Sequence, residues 1–586
     1  MARSHRRGGV PTALHFDRRI SLMTLSTALV ICAWLAVSPA LAEKILRRGN
    51  LAEPYSLDPH HTTALQEADI LGDMLMGLFT EDANGEPVLG AAESVETSTD
   101  GLKWMFKIRN HKWSDGSHVT ADDFLFTFQR IMTPATAAEY VNVLYPIKNA
   151  EAVSTGKLPV GQLGVSAPDA KTLVIELGHP APYLPQLLMH QTTYPIQRRL
   201  VAKYPTGWTK PGIMPSNGPY VLAEWRPNDH IKLIKNPNFY DAANVKIDTV
   251  YFYPLEDDLA ALKKYRAGEL DTQDRWPIGM HDWLVKNIPN EARHATALWA
   301  QYTSFNSKRK PFDDVRVRKA LAMAIDRKAI ADDILGGSYG QEATNVLPPG
   351  TANVDRSAQV EWAGKTMDER RTEAKQLLAA AGFGPDHPLH FTYNFSTNTD
   401  NRRIAVAMQS MWKDIGVTVS LDTKESKVHQ KLLQTHDFEV AGDGWILDYN
   451  DAKNQLYLFQ GSTVEMNYAS YHSPVFDGLL EKADAEADVN ARAKILGHAS
   501  ATLLSDMPVA PSFFPYQRQL VKPYVLGWVT NPHRINRTRW LDIADHVGPQ
   551  QGVAGTQSGA VASEGGLGSW LGSWFSPDAW QKWWNS

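Results

Sequence analysis

One cysteine, Cys32, occurs in 586 residues. It lies in an N-terminal stretch with the layout of an export signal. Arg3, Arg6, Arg7, Arg18 and Arg19 are basic, the run from Leu22 to Val37 is mostly apolar, and Ala40-Leu41-Ala42 offers small residues for cleavage. Residues 1–42 therefore read as a cleaved signal peptide. The apolar run is short, contains Ser and Thr, and meets Pro39, which makes a membrane anchor the lesser reading. Arg18-Arg19 is a weak match to a twin-arginine signal. Val30-Ile31 precede Cys32 where a lipoprotein needs small residues, so lipid anchoring is disfavoured. A mature chain from Glu43 has no cysteine, which excludes disulfides, thiolate catalysis and cysteine-based metal sites.

An excess of positive charge is also missing. Beyond residue 42 the chain holds 54 basic against 63 acidic side chains, a net of −9, which disfavours nucleic acid as a partner. Catalytic signatures are scarce as well: we find no phosphate-binding glycine loop, no His-Glu-x-x-His and no nucleophile elbow. His60-His61 reads as a surface turn, because neighbouring histidines in a strand point to opposite faces. Asp257-Asp258 reads as a loop and Asp313-Asp314 as a helix start. The sequence argues against an enzyme, and it implies neither a cofactor nor a metal.

What is present is a soluble composition, 43% hydrophobic and 21% charged, in a chain long enough for two or three domains. In "GLKWMFKIRNHKWSDG" (101–116), Leu102, Trp104, Phe106 and Ile108 alternate as in a half-buried strand, followed by a Ser-Asp-Gly turn. "VTADDFLFTFQRIM" then reads as a helix capped by Thr120, with Phe124, Phe128 and Ile131 on one face. Thr366 and Glu369 form a capping box for a helix ending near Gly382. "LHFTYNF", "RRIAVAMQSMWKDIG" and "VTVSL" follow as strand, helix and strand, a βαβ unit with parallel pairing. After Gly548 a Gly/Ser/Ala-rich linker leads to "WLGSWFSPDAWQKWWNS", with five tryptophans in seventeen residues. That tail suits docking on a membrane or a protein partner, with folding back onto its own domain as the alternative.

"GDGWILDYNDA" (442–452) follows the apolar, strand-like run 438–441. It sets Trp445 and Tyr449 beside three aspartates, Asp443, Asp448 and Asp451. Together with "SLDPH" (56–60), "GLKWMFKIRNHKWSDGSHVTADDF", "PSNGPYVLAEW" (215–225), "IKLIKNPNFYD" (231–241), "PFDDVRVRKALAMAIDR" (311–327), "YASYHSPVFDGLL" (468–480) and "LVKPYVLGW" (520–528), it resembles the peptide-binding subfamily of extracytoplasmic solute-binding proteins. These are the receptors of ABC oligopeptide importers, and the likeness runs from about Lys44 to about Asp545.

The resemblance implies an α/β periplasmic-binding-protein fold, with two lobes, a hinge and an additional inserted lobe. Lobe I would comprise residues 43–75, 200–298 and 515–545, the inserted lobe 76–199, and lobe II 299–514, with a linker and tail at 546–586. It implies a non-catalytic periplasmic receptor, monomeric, that encloses a peptide between its lobes and delivers it to an inner-membrane ABC permease. Asp448, in the "W-x-x-D-Y-N" segment, would pair with the ligand's terminal ammonium, as a charge withdrawn from water requires. Trp445 would wall the first side-chain pocket, with Tyr140 and Tyr302 lining the cleft. Thr63 and Leu65, in the stretch after "SLDPH", would meet the ligand mainly through backbone, and Gly444 and Ile446 would also be peptide-binding. Well-known receptors neutralise the peptide's carboxyl end with basic residues; here those positions hold Leu335, Asn401, Leu433 and Gly442. The alternatives are a receptor for modified or cell-wall-derived peptides and a periplasmic chaperone or scaffold.

Overall fold

Val509–Val521 is a thirteen-residue strand, buried almost throughout, whose two halves serve different neighbours. Its first half lies antiparallel to Trp299–Phe305, and its second half lies antiparallel to Ala292–Thr296. The chain thus passes twice between the two halves of one extended sheet. Val509, Phe513, Phe514, Leu520 and Val521 supply its apolar contacts, while Gln517, Arg518 and Gln519, buried as well, bond to Asn531 O, Trp276 O and Asp274.

The computed structural model describes residues 43–544 apart from Thr63, Ser338 and Glu465. The expected signal peptide, the expected linker with its tryptophan tail, and Thr63 lie outside the described residues.

Among the described residues, one half of the large sheet runs Thr418–Lys424, His390–Ser396, Val440–Ile446, Trp299–Phe305 and then Val509–Val521. The other half continues through Thr272–Gln273, Ile45–Gly49, Thr249–Tyr253, His230–Lys235 and Tyr220–Arg226. A separate four-stranded sheet, ordered Ala92–Thr97, Lys103–Ile108, Thr172–Glu176 and Val165–Asp169, packs with the helix Ala121–Met132. Two large apolar cores divide the molecule. One joins residues between 46 and 252 with 521–541; the other lies within 300–514. This is a mixed α/β architecture of two lobes with an inserted unit.

Local signals explain the elements. Phe106 and Ile108 are buried while Lys103, Met105 and Lys107 of the same strand are exposed. Asp123 Oδ2 accepts from the backbone N–H of Thr120 at 2.9 Å, closing the first turn of Ala121–Met132. Thr366 and Glu369 exchange bonds at the start of Met367–Ala380, and Gly382 beyond its end takes φ = +92°, which glycine adopts without a steric penalty. His390–Ser396 and Thr418–Lys424 pair in parallel across the helix Thr399–Asp414.

Three readings need correction. Asp257 is not in a plain loop: its carboxylate accepts from Ala260 N–H at 2.7 Å and caps the helix Asp258–Arg266. His60 is not at the surface. It is 2% exposed, and its Nδ1 accepts from Arg130, whose guanidinium also grips Asp58 at 2.9 and 2.6 Å. Burial and the neighbouring Arg130 hold His60 neutral, down to about 3. The strand expected at 438–441 instead spans Val440–Ile446, running through Gly442-Asp443-Gly444 because Trp299–Phe305 pairs with it residue by residue.

Candidate functional site

At the end of the strand Val440–Ile446 the chain turns sharply, and one side chain organises the turn. Asn454 Oδ1 accepts from the indole N–H of Trp445 at 2.9 Å and from the backbone N–H of Asp448 at 3.1 Å. Its Nδ2 donates to Asp448 Oδ2 at 3.1 Å. The other carboxylate oxygen of Asp448 accepts from Tyr140 Oη at 3.0 Å. The turn is anchored from below by Asp451, whose carboxylate receives both guanidinium nitrogens of Arg492 at 2.7 and 2.9 Å, with both side chains fully buried. Tyr449 stacks on Tyr183, ring centroids 4.8 Å apart, and Tyr140 stacks on His190 at 5.5 Å.

Asp448 is therefore bonded to two neutral donors. Burial pushes its carboxyl up to about 6, the bonds from Asn454 and Tyr140 only partly opposing that rise. Burial and the adjoining carboxylate push the Tyr140 phenol well above its ordinary value, so it remains a donor. A carboxylate held this way gains from any ligand that brings a positive charge.

The direction of the backbone follows from two bonds. Leu447 N–H donates to Leu298 O at 2.8 Å, and Glu439 O accepts from Asn306 N–H at 3.0 Å. Odd-numbered residues of the strand therefore face Trp299–Phe305, and Gly442, Gly444 and Ile446 turn their backbone groups the other way. On that other side the pairing with His390–Ser396 covers only Val440 and Ala441. Beyond Ala441 no strand pairs on this side; Gly442 O accepts from His429 and Gly444 N–H donates to Asp443, so Gly444 O and the backbone of Ile446 are what the edge offers an extended chain.

Beside this edge lies a cavity of about 280 Å³, with Tyr302, Asn401, His429, Leu433, Asp443 and Gly444 in its wall. His429, from the helix Ser426–Gln434, bonds through Nε2 to Gly442 O at 2.8 Å. Asp443 accepts from Ser304 Oγ and from Gly444 N–H, both at 2.7 Å, and burial raises its carboxyl to about 6.

Of the residues singled out from the sequence, Tyr140, Trp445 and Asp448 are joined by the hydrogen bonds just described. Tyr302 and Gly444 line the cavity, Tyr302 also packing edge-on against Phe459. Ile446 is 42% exposed, opposite Trp299. Leu65 begins the helix Leu65–Met74, exposed, and takes no part in these hydrogen bonds. Among the four positions without a basic residue, Asn401, Leu433 and Gly442 line the cavity, and Leu335 is buried in the second core. Asn454, Asp443 and His429 were missed. Asn454 had a faint signal, standing six residues after Asp448 in a short helix; His429 had none.

The model of the bacterial extracellular solute-binding proteins, family 5 (middle), matches residues 86–467. The periplasmic oligopeptide-binding protein OppA of Salmonella typhimurium is 35% identical over 525 residues, covering 87% of this chain and 96% of its own. The structure of the Escherichia coli murein tripeptide binding protein MppA superposes with a TM-score of 0.78 at 34% identity, covering 86% of this chain and 99% of that one. Haemophilus influenzae OppA in complex with RPPGFSPFR gives 0.76 at 32% identity, covering 86% of this chain and 99% of its own.

Proposed function

This chain belongs to family 5 of the bacterial extracellular solute-binding proteins, and from that premise we propose that it is an exported receptor that captures peptides between its lobes and hands them to an inner-membrane ABC permease. The observation that carries the reading is Asp448, a half-buried carboxylate with neutral partners at the end of a strand that has no partner strand on its outer side beyond Ala441. An ammonium would satisfy the carboxylate, and the backbone of the same molecule would satisfy the edge. A peptide with a free amino end supplies both. The named relatives, oligopeptide and murein tripeptide binding proteins, support that ligand class.

In this reading the lobes follow the boundaries expected from the sequence, and Asp448 with Trp445 holds the amino end. Tyr140 closes the cleft from the inserted lobe, while Tyr302, Gly444, Ile446, Leu65 and Thr63 flank the ligand. The protein acts without a cofactor or catalysis, in the periplasm after loss of residues 1–42, and its tryptophan tail docks on a membrane or partner. A second reading, a receptor for modified or cell-wall-derived peptides, is favoured by Asn401, Leu433 and Gly442, which put no fixed cation in the cavity to meet an ordinary carboxyl end. Mass spectrometry of ligands released from protein purified out of the periplasm tests both. Defined short peptides are expected; their absence, together with no calorimetric binding of any free-amino peptide, would end the peptide reading.

A further inference from the structure

The cavity beside Gly442 has a chemistry of its own. Among the described residues no lysine or arginine lines it. His429 is 7% exposed and must donate from Nε2, since Gly442 O can only accept. Its Nδ1 is then a bare acceptor without a partner, closed off behind the cavity surface, so His429 brings no positive charge to the wall. Asp443 adds a carboxylate. Asn401 uses its amide nitrogen on Ser396 O and Oγ at 3.1 and 2.8 Å, so its carbonyl oxygen is the group left to offer. Gln430 turns its nitrogen to Tyr468 Oη at 2.8 Å. Acceptors thus converge on one space. Around them stand the rings of Trp299, Tyr302, Tyr339, Tyr393, Phe395 and Phe513, which suit an alkyl stem and the face of a cation.

An anion would be repelled by Asp443 and would meet no lysine or arginine in the wall. A neutral apolar group would leave the Asp443 carboxylate without a counter-charge and the carbonyl oxygen of Asn401 without a donor. A donor-only cation satisfies them together. The volume, about 280 Å³, falls just below the roughly 300–1,000 Å³ typical of sites that take a whole small ligand, and it suits one long side chain. Nor can position 442 supply a cation, because a Cβ there would lie 2.9 Å from Tyr393 Oη.

We infer that this cavity is a subsite for a basic side chain of the bound peptide, an ammonium or guanidinium, with Asp443 as its counter-charge and the carbonyl oxygen of Asn401 as its second acceptor. The inference rests on the peptide reading above and narrows it: the receptor prefers peptides that carry a second positive charge inside the chain. An added strand advances about 3.3 Å per residue, and the cavity lies beside Gly442 and Gly444, four to six residues before Asp448. The basic residue is therefore the third of the ligand or a later one.

The test uses the full mature protein and alanine-based pentapeptides with a free amino end, carrying lysine, arginine, norleucine or glutamate at positions two to five in turn. Calorimetry should show one position, third or later, at which lysine or arginine binds at least tenfold more tightly than norleucine, with glutamate weakest. In Asp443→Asn that ratio should collapse toward one, and in Asp448→Asn it should persist while every peptide weakens. Peptides that bind without any basic preference, or a preference that survives Asp443→Asn, would overturn the inference and leave the peptide reading standing. If no peptide binds, the peptide reading fails, and melting curves with millimolar cadaverine decide the cavity alone. A rise in melting temperature in the parent protein but not in Asp443→Asn supports the subsite, and equal behaviour of the two proteins overturns it.

Discussion

Tyr140 Oη donates to Asp448 Oδ1 at 3.0 Å, a bond between residues 308 positions apart in the chain. It ties the region around the four-stranded sheet to the end of the strand Val440–Ile446, on which the proposed ligand edge lies. The same two regions meet again where Asn142 Nδ2 donates to Tyr457 Oη at 3.1 Å and where Tyr183 stacks on Tyr449. In the proposed receptor these contacts make closure of the cleft and placement of the Asp448 carboxylate one event.

Asp448→Asn keeps the shape and removes the counter-charge. Binding of a free-amino peptide should weaken by about 2–5 kcal/mol, because a buried ammonium loses its partner. Acetylating the peptide should cost the parent protein a comparable amount, and acetylation should add little further loss in Asp448→Asn. Amidating the carboxyl end should matter much less. Calorimetry on the three peptide forms measures this, and equal damage from amidation would reveal a cation holding the carboxylate.

The pH profile should show the same carboxylate. In the free protein burial raises Asp448 to about 6, and a bound ammonium favours the charged form, so protonation competes with the ligand. Affinity should be full above about pH 6 and fall as the pH drops through that value. At the alkaline end it should fall as the peptide's amino group, of pKa about 7.7–8.0, loses its proton. Asp448→Asn should flatten the acid limb. Tyr140→Phe removes a bond that lowers the carboxyl's pKa, so that limb should move to higher pH. An acid limb unchanged in Asp448→Asn would assign the titration elsewhere.

Stability without ligand should respond in the opposite sense. Asp443 and Asp448 hold protons in the folded state at a pH where an ordinary carboxyl has lost its own. Their stabilisation is fully present below the ordinary value and is lost as the pH rises through about 6. Asp443→Asn/Asp448→Asn should therefore show a smaller fall in melting temperature between pH 4.5 and 6.5 than the parent. A fall of the same size would show that other groups dominate.

The Asp451–Arg492 pair supports the binding turn from a fully buried position. Arg492→Met strands a buried carboxylate and should lower stability by about 3–5 kcal/mol. Asp451→Leu/Arg492→Met should recover much of that loss, which chemical denaturation can follow. Equal losses in the single and double variants would place the effect in packing against Tyr183, whose ring lies 5.2 Å from the guanidinium.

Elements governed by near neighbours were legible in the sequence. The helix Met367–Ala380 announces itself through Thr366 and Glu369, and the strand Lys103–Ile108 through alternation, because caps and periodicity involve residues a few positions apart. Asp448 stood out through the family resemblance of its segment. The strand through Gly442-Asp443-Gly444 was only half visible: glycine and aspartate disfavour strands, and pairing with Trp299–Phe305 overrides that preference. His60 looked like part of a surface turn until Arg130, seventy residues on, covered it.

The sequence by itself determined the family and the α/β class, and it singled out the acid now proposed to head the site. Each was carried by motifs or by the spacing of residues near one another in the chain. Only the tertiary structure decided what that acid feels and what stands beyond it. Tyr140 reaches Asp448 from 308 positions away, and His429, Asn401 and Asp443 come together in the wall of one cavity. The physical reason is that burial and hydrogen bonding depend on distance in space. Chain order does not reveal which distant side chains folding will bring within 3 Å of one another.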